Sequence, residues 1–483
     1  MSLIYNSLQK DTIAAIATAA SDAGIGIIRI SGPEAVGAAD KLFRSKKGER
    51  TLSGFRPGTI HFGYVIDPDT NETVDEVMVS VMRAPHSYTT EDTVEINTHG
   101  GVYLMQKILS LVFAEGVRPA QPGEFTKRAF LGGRIDLTQA EAVMDIISAQ
   151  NSFSAKTAAR QIRGSVLTCV RSLREKILYE IAFIESALDD PENYSLDGYP
   201  EKLRGICLEL KEKLAGMILF SQEGRILKEG IRTVIAGKPN TGKSSLLNSL
   251  SGYERAIVTD IAGTTRDTLE ETVRIGEVLL QIVDTAGIRS TEDEIEKIGV
   301  ERALREIESA QLILFLLDSS CGITDEDRET AEAVRRQTEA GAKCILLLNK
   351  TDRPRAITDE EAESFYLGIA GIAGRREEGR ILQVSVKTGD GMESLRNTIR
   401  EMFRIGEIEN NSEILLSNML QIQDAKDAME SLNMVISSID SGMSEDFFSV
   451  DLQNAYASLG EIIGETVDDD LATEIFSKFC LGK

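Results

Sequence analysis

From position 231 the chain runs Ile231-Arg-Thr-Val-Ile-Ala236, an apolar β-type segment, directly into Gly237-Lys-Pro-Asn-Thr-Gly242-Lys243-Ser244 and then into the helical Ser245-Leu-Leu-Asn-Ser-Leu250. A strand, a G-x-x-x-x-G-K-S turn and a helix in that order leave few folds open. The glycines let backbone N–H groups wrap phosphates, Lys243 adds a point charge on the β and γ oxygens, and the Ser244 hydroxyl can ligate Mg²⁺. Asn240, Thr241 and Ser245 complete the phosphate-facing set. Further apolar runs, Thr272 to Val283, Leu312 to Leu317, Cys344 to Leu348 and Ile381 to Val384, alternate with helical stretches. That alternation predicts a doubly wound parallel sheet over residues 226–404, a Ras-like P-loop unit.

Polar motifs stand at the ends of these runs in a telling order. Asp284-Thr-Ala-Gly287 offers a second carboxylate for Mg²⁺ and, in the Gly287 N–H, a sensor of a γ-phosphate. Gly263-Thr264-Thr265-Arg-Asp267 supplies hydroxyls for the metal, with Thr259 just upstream. Asn349-Lys350-Thr-Asp352 places a carboxylate that can accept two hydrogen bonds from guanine; adenine has no matching donor pair. Ser385-Val-Lys387 can close the base pocket with backbone N–H groups. Four ordered elements at strand ends point to GTP rather than ATP. Ile288 stands where Ras-type switches carry a water-orienting glutamine, and an isoleucine cannot do that work. The acidic run Glu292, Asp293, Glu294 and Glu296 holds two readings, a solvated helix start or the group that positions the water. A second cation can also replace an arginine finger, bound by the Asn240 amide oxygen and carbonyls between Thr259 and Thr264.

The remainder frames this unit. With 483 residues there is room for roughly three domains. Hydrophobic residues at 42% and charged ones at 27% exclude whole-chain disorder. Short β-rich runs around one helix near Gly101 to Glu115 make residues 1–125 an α+β domain. Residues 126–225 and 405–483 are helical, and their apolar stripes predict one discontinuous bundle into which the α/β unit is inserted. Thr12 to Ala20 imitates a secretory apolar region but lacks its basic flank, so it reads as a first strand. No apolar run approaches the roughly 20 residues a membrane helix needs. Five cysteines without a C-x-x-C pair fit reduced thiols in a cytosol, and the three histidines form no metal motif. A net charge of −24 tells against bulk attraction to nucleic acid. Lys156, Arg160, Arg163, Arg171 and Arg174 form the strongest basic stripe, expected on one helix face as either a solvated face or a dock for nucleic-acid phosphates or an acidic partner surface.

Taken together, DTIAAIATA and GIGIIRISG near the start, PGEFTKRAFLGGRIDLTQAEAV, GKPNTGKSSLLN with IVTDIAGTTRD and DTAGIR, and the terminal FCLGK make the chain resemble the MnmE (TrmE) family of tRNA-modification GTPases. The resemblance implies a homodimer with a tetrahydrofolate-binding-like N-terminal dimerisation domain and a G domain that dimerises in a K⁺-dependent way during hydrolysis. It implies a heterotetramer with the FAD-containing MnmG, modifying carbon 5 of the wobble uridine of certain tRNAs with a carboxymethylaminomethyl-type group. By matching position, Asn240, Thr259, Ile261 and Thr264 would hold K⁺, while Ser244, Thr265 and Asp284 would hold Mg²⁺. Glu296 would position the water, and Arg29, Glu95, Arg134 and Lys483 would bind 5-formyltetrahydrofolate or a related one-carbon tetrahydrofolate. Two positions depart from the family pattern: lysine is frequent where Arg134 stands, and C-I-G-K is the usual ending in place of Cys480-Leu-Gly-Lys483. Without the resemblance, Arg29 on an apolar strand reads as a paired structural charge. The rival class is a ribosome-assembly GTPase that gates RNA binding, towards which Gly368-Ile-Ala-Gly371 imitates a KH loop. A third is a GTP-dependent dimeriser without further chemistry.

Overall fold

The structure is a computed structural model and describes residues 11–46, 51–251, 270–275, 278–283, 307–370, 380–403, 414–465, 469–477, 479 and 482. It divides into two compact units.

The first unit gathers Met1–Ser148, Ala158–Ala215 and Leu416–Lys483. Its sheet contains β1 (Ile13–Ile16), β2 (Ala23–Ser31), β3 (Phe43–Ser45), β4 (Ile60–Ile66), β5 (Thr73–Met82), β6 (Thr93–Gly100) and β7 (Arg118–Pro119), in the order β3-β4-β5-β6-β2-β1-β7. Strict alternation in β5 builds the sheet: Val77, Val79 and Val81 are buried while Glu76 and Met78 face out. Helices Ala35–Leu42 and Val102–Ala114 close the inner face, packing Ala39, Leu42, Ile108 and Val112 into one core with those valines. The sequence predicted only the second helix; the first is a short turn of small residues, too brief for periodicity to announce. The Thr12 to Ala20 segment supplies β1, held between β2 and β7.

The helices of this unit come from both sides of the insert. Ser165–Asp189 packs on Glu445–Ile462, which packs on Met419–Asp440. The basic stripe does not lie on one face. Helix Ser152–Ile162 ends before Gly164, whose φ of +83° starts a new helix, Ser165–Asp189, so the five cations are split between two helices and their junction. Arg174 is buried, paired at 2.5 Å with Glu465 and stacked 3.9 Å from the Tyr456 ring, which makes it a packing residue.

The second unit joins Ala149–Thr157 to Gly216–Leu415. Its sheet runs β13-β12-β11-β8-β10-β9, where β8 is Ile231–Ala236, β9 Glu270–Ile275, β10 Val278–Val283, β11 Leu312–Asp318, β12 Lys343–Asn349 and β13 Ile381–Gln383. Pairs are parallel except β9 with β10. The expectation of a single run from Thr272 to Val283 and of a wholly parallel sheet is therefore corrected. Ile275 pairs with Val278 and Glu270 with Val283, so the two halves of that run lie antiparallel. The central strands are apolar throughout because both faces are covered: Leu312, Leu314 and Leu316 enter one core, Ile313, Phe315 and Leu317 the other. Gly368 lies within helix Asp359–Ala370, while Gly371, the other end of the G-x-x-G imitation, lies outside the described residues.

Candidate nucleotide site

Strand β8 ends at Ala236 and the glycine-rich turn delivers the chain to helix Lys243–Ser251. Only glycine satisfies two positions in that turn. Gly237 has φ +142° and a Cβ there would stand 2.5 Å from Leu316 O; Gly242 has φ +108° and its Cβ would stand 2.5 Å from Asn349 Nδ2. Asn240 adopts a left-handed φ of +62°, which its short polar side chain tolerates. The Lys243 ammonium donates to Gly237 O at 2.6 Å and Lys238 O at 2.9 Å, and the buried Thr241 hydroxyl donates to Lys238 O at 2.9 Å. Ser244 and Ser245 are exposed in the first helical turn. A turn with a lysine at its centre and a helix N-terminus behind it is chemically suited to a polyphosphate.

The Asn349-Lys350-Thr-Asp352 motif is bound to this turn. Asn349 is buried at the end of β12, donating Nδ2 to Thr241 O at 2.8 Å and accepting Val386 N–H on Oδ1 at 3.2 Å. Lys350 donates to Asn240 O at 2.9 Å and to Asp318 Oδ2 at 2.5 Å. Burial pushes the Asp318 carboxyl up, but Lys350 and Ser320 outweigh it and hold it below the usual aspartate range. Asp352 accepts the Ser385 hydroxyl at 3.0 Å, and Ser385 Oγ accepts Thr388 N–H at 3.3 Å. Asp352 is exposed, because it follows β12 in an open turn, and Lys387 is exposed too. The sequence did not single out Asp318, although it terminates the apolar run of β11.

Thr259, Ile261, Thr264, Thr265, Asp284, Gly287, Ile288, Glu292, Asp293, Glu294, Glu296, Cys480 and Lys483 lie outside the described residues. Of the K⁺ set only Asn240, and of the Mg²⁺ set only Ser244, can therefore be placed. Among the described residues no group of three or more His, Cys, Asp or Glu is arranged to hold a metal, and no helix is long and apolar enough to cross a membrane.

A second cluster forms in the first unit. Arg29 on β2 stands opposite Glu95 on β6 and pairs with it at 2.9 Å. Its guanidinium lies 5.4 Å from the Tyr88 ring centre and 5.5 Å from that of Phe125, and it donates to Gly482 O at 3.3 Å. Arg134 stacks on the same Tyr88 ring at 4.9 Å and donates to its carbonyl at 3.2 Å. Gly482 has φ +88°, and a Cβ there would meet Ile16 O at 2.3 Å, so the C-terminal segment reaches this cluster only through glycine. Three of the four residues matched to folate binding thus converge, together with Tyr88 and Phe125, which the sequence did not single out. Aromatic rings between arginines carry no local pattern to find them by.

The family model described as MnmE helical domain matches residues 137–480, and that of the GTP-binding protein TrmE N-terminus matches 12–134. A protein named tRNA modification GTPase MnmE from Lachnoclostridium phytofermentans is 48% identical over 99% of this chain and 100% of its own length. One of the same name from Ligilactobacillus salivarius is 44% identical over 98% of each chain. Among solved structures, a variant of Aquifex aeolicus Era bound to GDP and AlF4⁻ is 26% identical, covering 42% of this chain and 66% of that one with a TM-score of 0.27.

Proposed function

The chain belongs to the MnmE family of tRNA modification GTPases and is a GTP-hydrolysing, tRNA-modifying enzyme, and from that premise we propose how its residues share the work. The observation that supports the assignment most directly is the tie between the two nucleotide motifs, in which Asn349 and Lys350 hold the carbonyls of Thr241 and Asn240. Phosphate loop and base reader are thereby fastened to each other. Gly237, Asn240, Thr241, Gly242, Lys243, Ser244 and Ser245 take the phosphates; Asn349, Lys350, Asp352, Ser385 and Lys387 take guanine; Thr259, Thr264, Thr265, Asp284 and Gly287 complete the GTP set. Lys243 exchanges its loop carbonyls for phosphate oxygens when GTP enters. Bound Mg²⁺ and K⁺ would neutralise charge developing on the phosphoryl group. Ser244, Thr265 and Asp284 would hold the first. Asn240, Thr259, Ile261 and Thr264 would hold the second, a neutral oxygen set suited to a weakly hydrated monovalent ion. Lys350 already occupies the Asn240 carbonyl, which leaves the side-chain amide for that role.

In this reading Glu296 positions the attacking water, which Ile288 cannot do, and the site is completed when two G domains of a homodimer meet. The chain acts in the cytoplasm with FAD-containing MnmG on carbon 5 of the wobble uridine. Residues 1–125, with the helical parts 126–225 and 405–483 around the G domain 226–404, carry the one-carbon tetrahydrofolate at Arg29, Glu95, Arg134 and Lys483. The flat Tyr88 ring stacked against Arg134 and facing Arg29 suits a planar, anionic ligand. GTP turnover in K⁺ against Na⁺, with Glu296→Ala alongside, tests the catalytic part. Strong activation by K⁺ alone and a loss of about 10²-fold or more in the variant are expected; equal rates in both salts would refute it.

A further inference from the structure

Lys238 fills a variable position of the phosphate-loop pattern, and nothing in that pattern gives it a task. Its ammonium donates to Asp327 Oδ2 at 2.8 Å and to Thr324 Oγ1 at 3.2 Å. Asp327 lies in the first turn of helix Asp325–Glu339 and is 1% exposed. The same Oδ2 accepts the backbone N–H of Thr324 at 3.0 Å, one half of a capping box, and the Thr324 hydroxyl at 2.7 Å, while Oδ1 is buried with no hydrogen-bond partner. A carboxylate so enclosed depends on its cation, because an unpaired charge there is strongly disfavoured. The other end of Lys238 is equally engaged. Its carbonyl accepts from the Thr241 hydroxyl and from the Lys243 ammonium, the residues that line the phosphate turn.

We propose that Lys238 and Asp327 form a buried tether that sets the position of the phosphate loop, making both of them positioning residues for nucleotide binding and hydrolysis. The inference rests on reading Gly237 to Ser244 as the GTP loop. Lys350 and Asp318 hold the opposite flank through Asn240 O, so the turn is gripped by two cations, each anchored on a carboxylate at or beyond the end of β11. Without the Lys238 anchor, the Lys238 carbonyl loses its fixed position, and Thr241 and Lys243 lose their reference with it.

The test uses the full chain with a fluorescent GDP analogue and steady-state GTP turnover, comparing Lys238→Met, Lys238→Arg, Asp327→Asn and the double variant Lys238→Met with Asp327→Asn. Each neutral single variant is expected to weaken GDP binding about tenfold and raise KM by a similar factor with a smaller change in kcat. The double variant is expected to be no weaker than the worse single one, because both remove one interaction. Lys238→Arg is expected to stay within about threefold of the parent, as it keeps the charge. Because the double variant leaves no buried charge unpaired, it reports on the loop even if a single variant folds poorly. Loss of affinity in Lys238→Met with none in Asp327→Asn would make Lys238 a direct phosphate ligand and overturn the tether. Lower melting temperatures with unchanged affinity and KM would do the same, as would additive losses in the double variant. A parent chain that fails to bind the GDP analogue would instead sink the GTP-loop reading itself.

Discussion

Asp424, half-buried on helix Met419–Asp440, shows how one side chain can set a pH response. Burial raises its carboxyl pKa to about 6, and the nearby charges of Glu461 and Asp427 push in the same direction. Above that value the folded protein carries a charge the unfolded chain would bear more comfortably, so the penalty is full at pH 8. As pH falls from about 6 towards the unfolded value of 3.8, the folded state binds the proton first and stability rises. Asp424→Asn removes the charge. It should stabilise the protein by about 1 kcal/mol at pH 8, a figure already discounted for solvent screening, and by nothing measurable at pH 4. Thermal unfolding of both proteins across that range checks it; an equal gain at both ends would show that packing, not charge, is responsible. Glu124 behaves oppositely. Burial pushes its carboxyl up, but Arg118, the Gln121 N–H and Arg128 outweigh burial and leave it below the ordinary glutamate value, so its contribution holds at neutral pH and is lost in acid.

At the level of elements, the junction at Gly164 decides what the basic residues can do. Arg160, Arg163 and Arg171 are exposed around the break between two helices, whereas Arg174 is consumed by Glu465 and Tyr456. Charge reversal of Arg160 and Arg163 together should weaken tRNA binding with a smaller salt dependence, while GTP turnover persists; unchanged binding would leave these arginines as a solvated face. The stripe looked continuous because helical spacing carries across one glycine unless its backbone angle is known. The β9–β10 reversal was hidden for a related reason, since an apolar run with a single internal glycine reads as one strand. The phosphate turn was legible because its requirements are local: two glycines, a lysine and a helix start within eight residues. The pairing of Lys238 with Asp327 is long-range, and no window of sequence contains both. The convergence of Arg29, Glu95 and Arg134 became readable only through collinear resemblance, for the rings between them leave no periodic trace.

Across the whole molecule, chain order and folding unit diverge. Residues 149–157 precede the helix Ser165–Asp189, yet they group with Gly216–Leu415. Asn151 accounts for this at one point by donating Nδ2 to Leu227 O at 2.8 Å, and Phe153 at another by entering the same core as Phe220, Leu227 and Leu415. If this grouping governs stability, a residue far upstream of the phosphate loop should control the unfolding of the nucleotide-binding unit. A ligand that binds only the folded form raises that unit's melting temperature in proportion to RT ln(1 + [L]/Kd). Calorimetry with and without GDP should therefore mark one transition as nucleotide-sensitive. Phe153→Ala removes a buried ring and should cost about 3 kcal/mol, lowering that transition and sparing the other. A substitution that instead lowers only the GDP-insensitive transition would return residues 149–157 to the helical unit and dissolve the division.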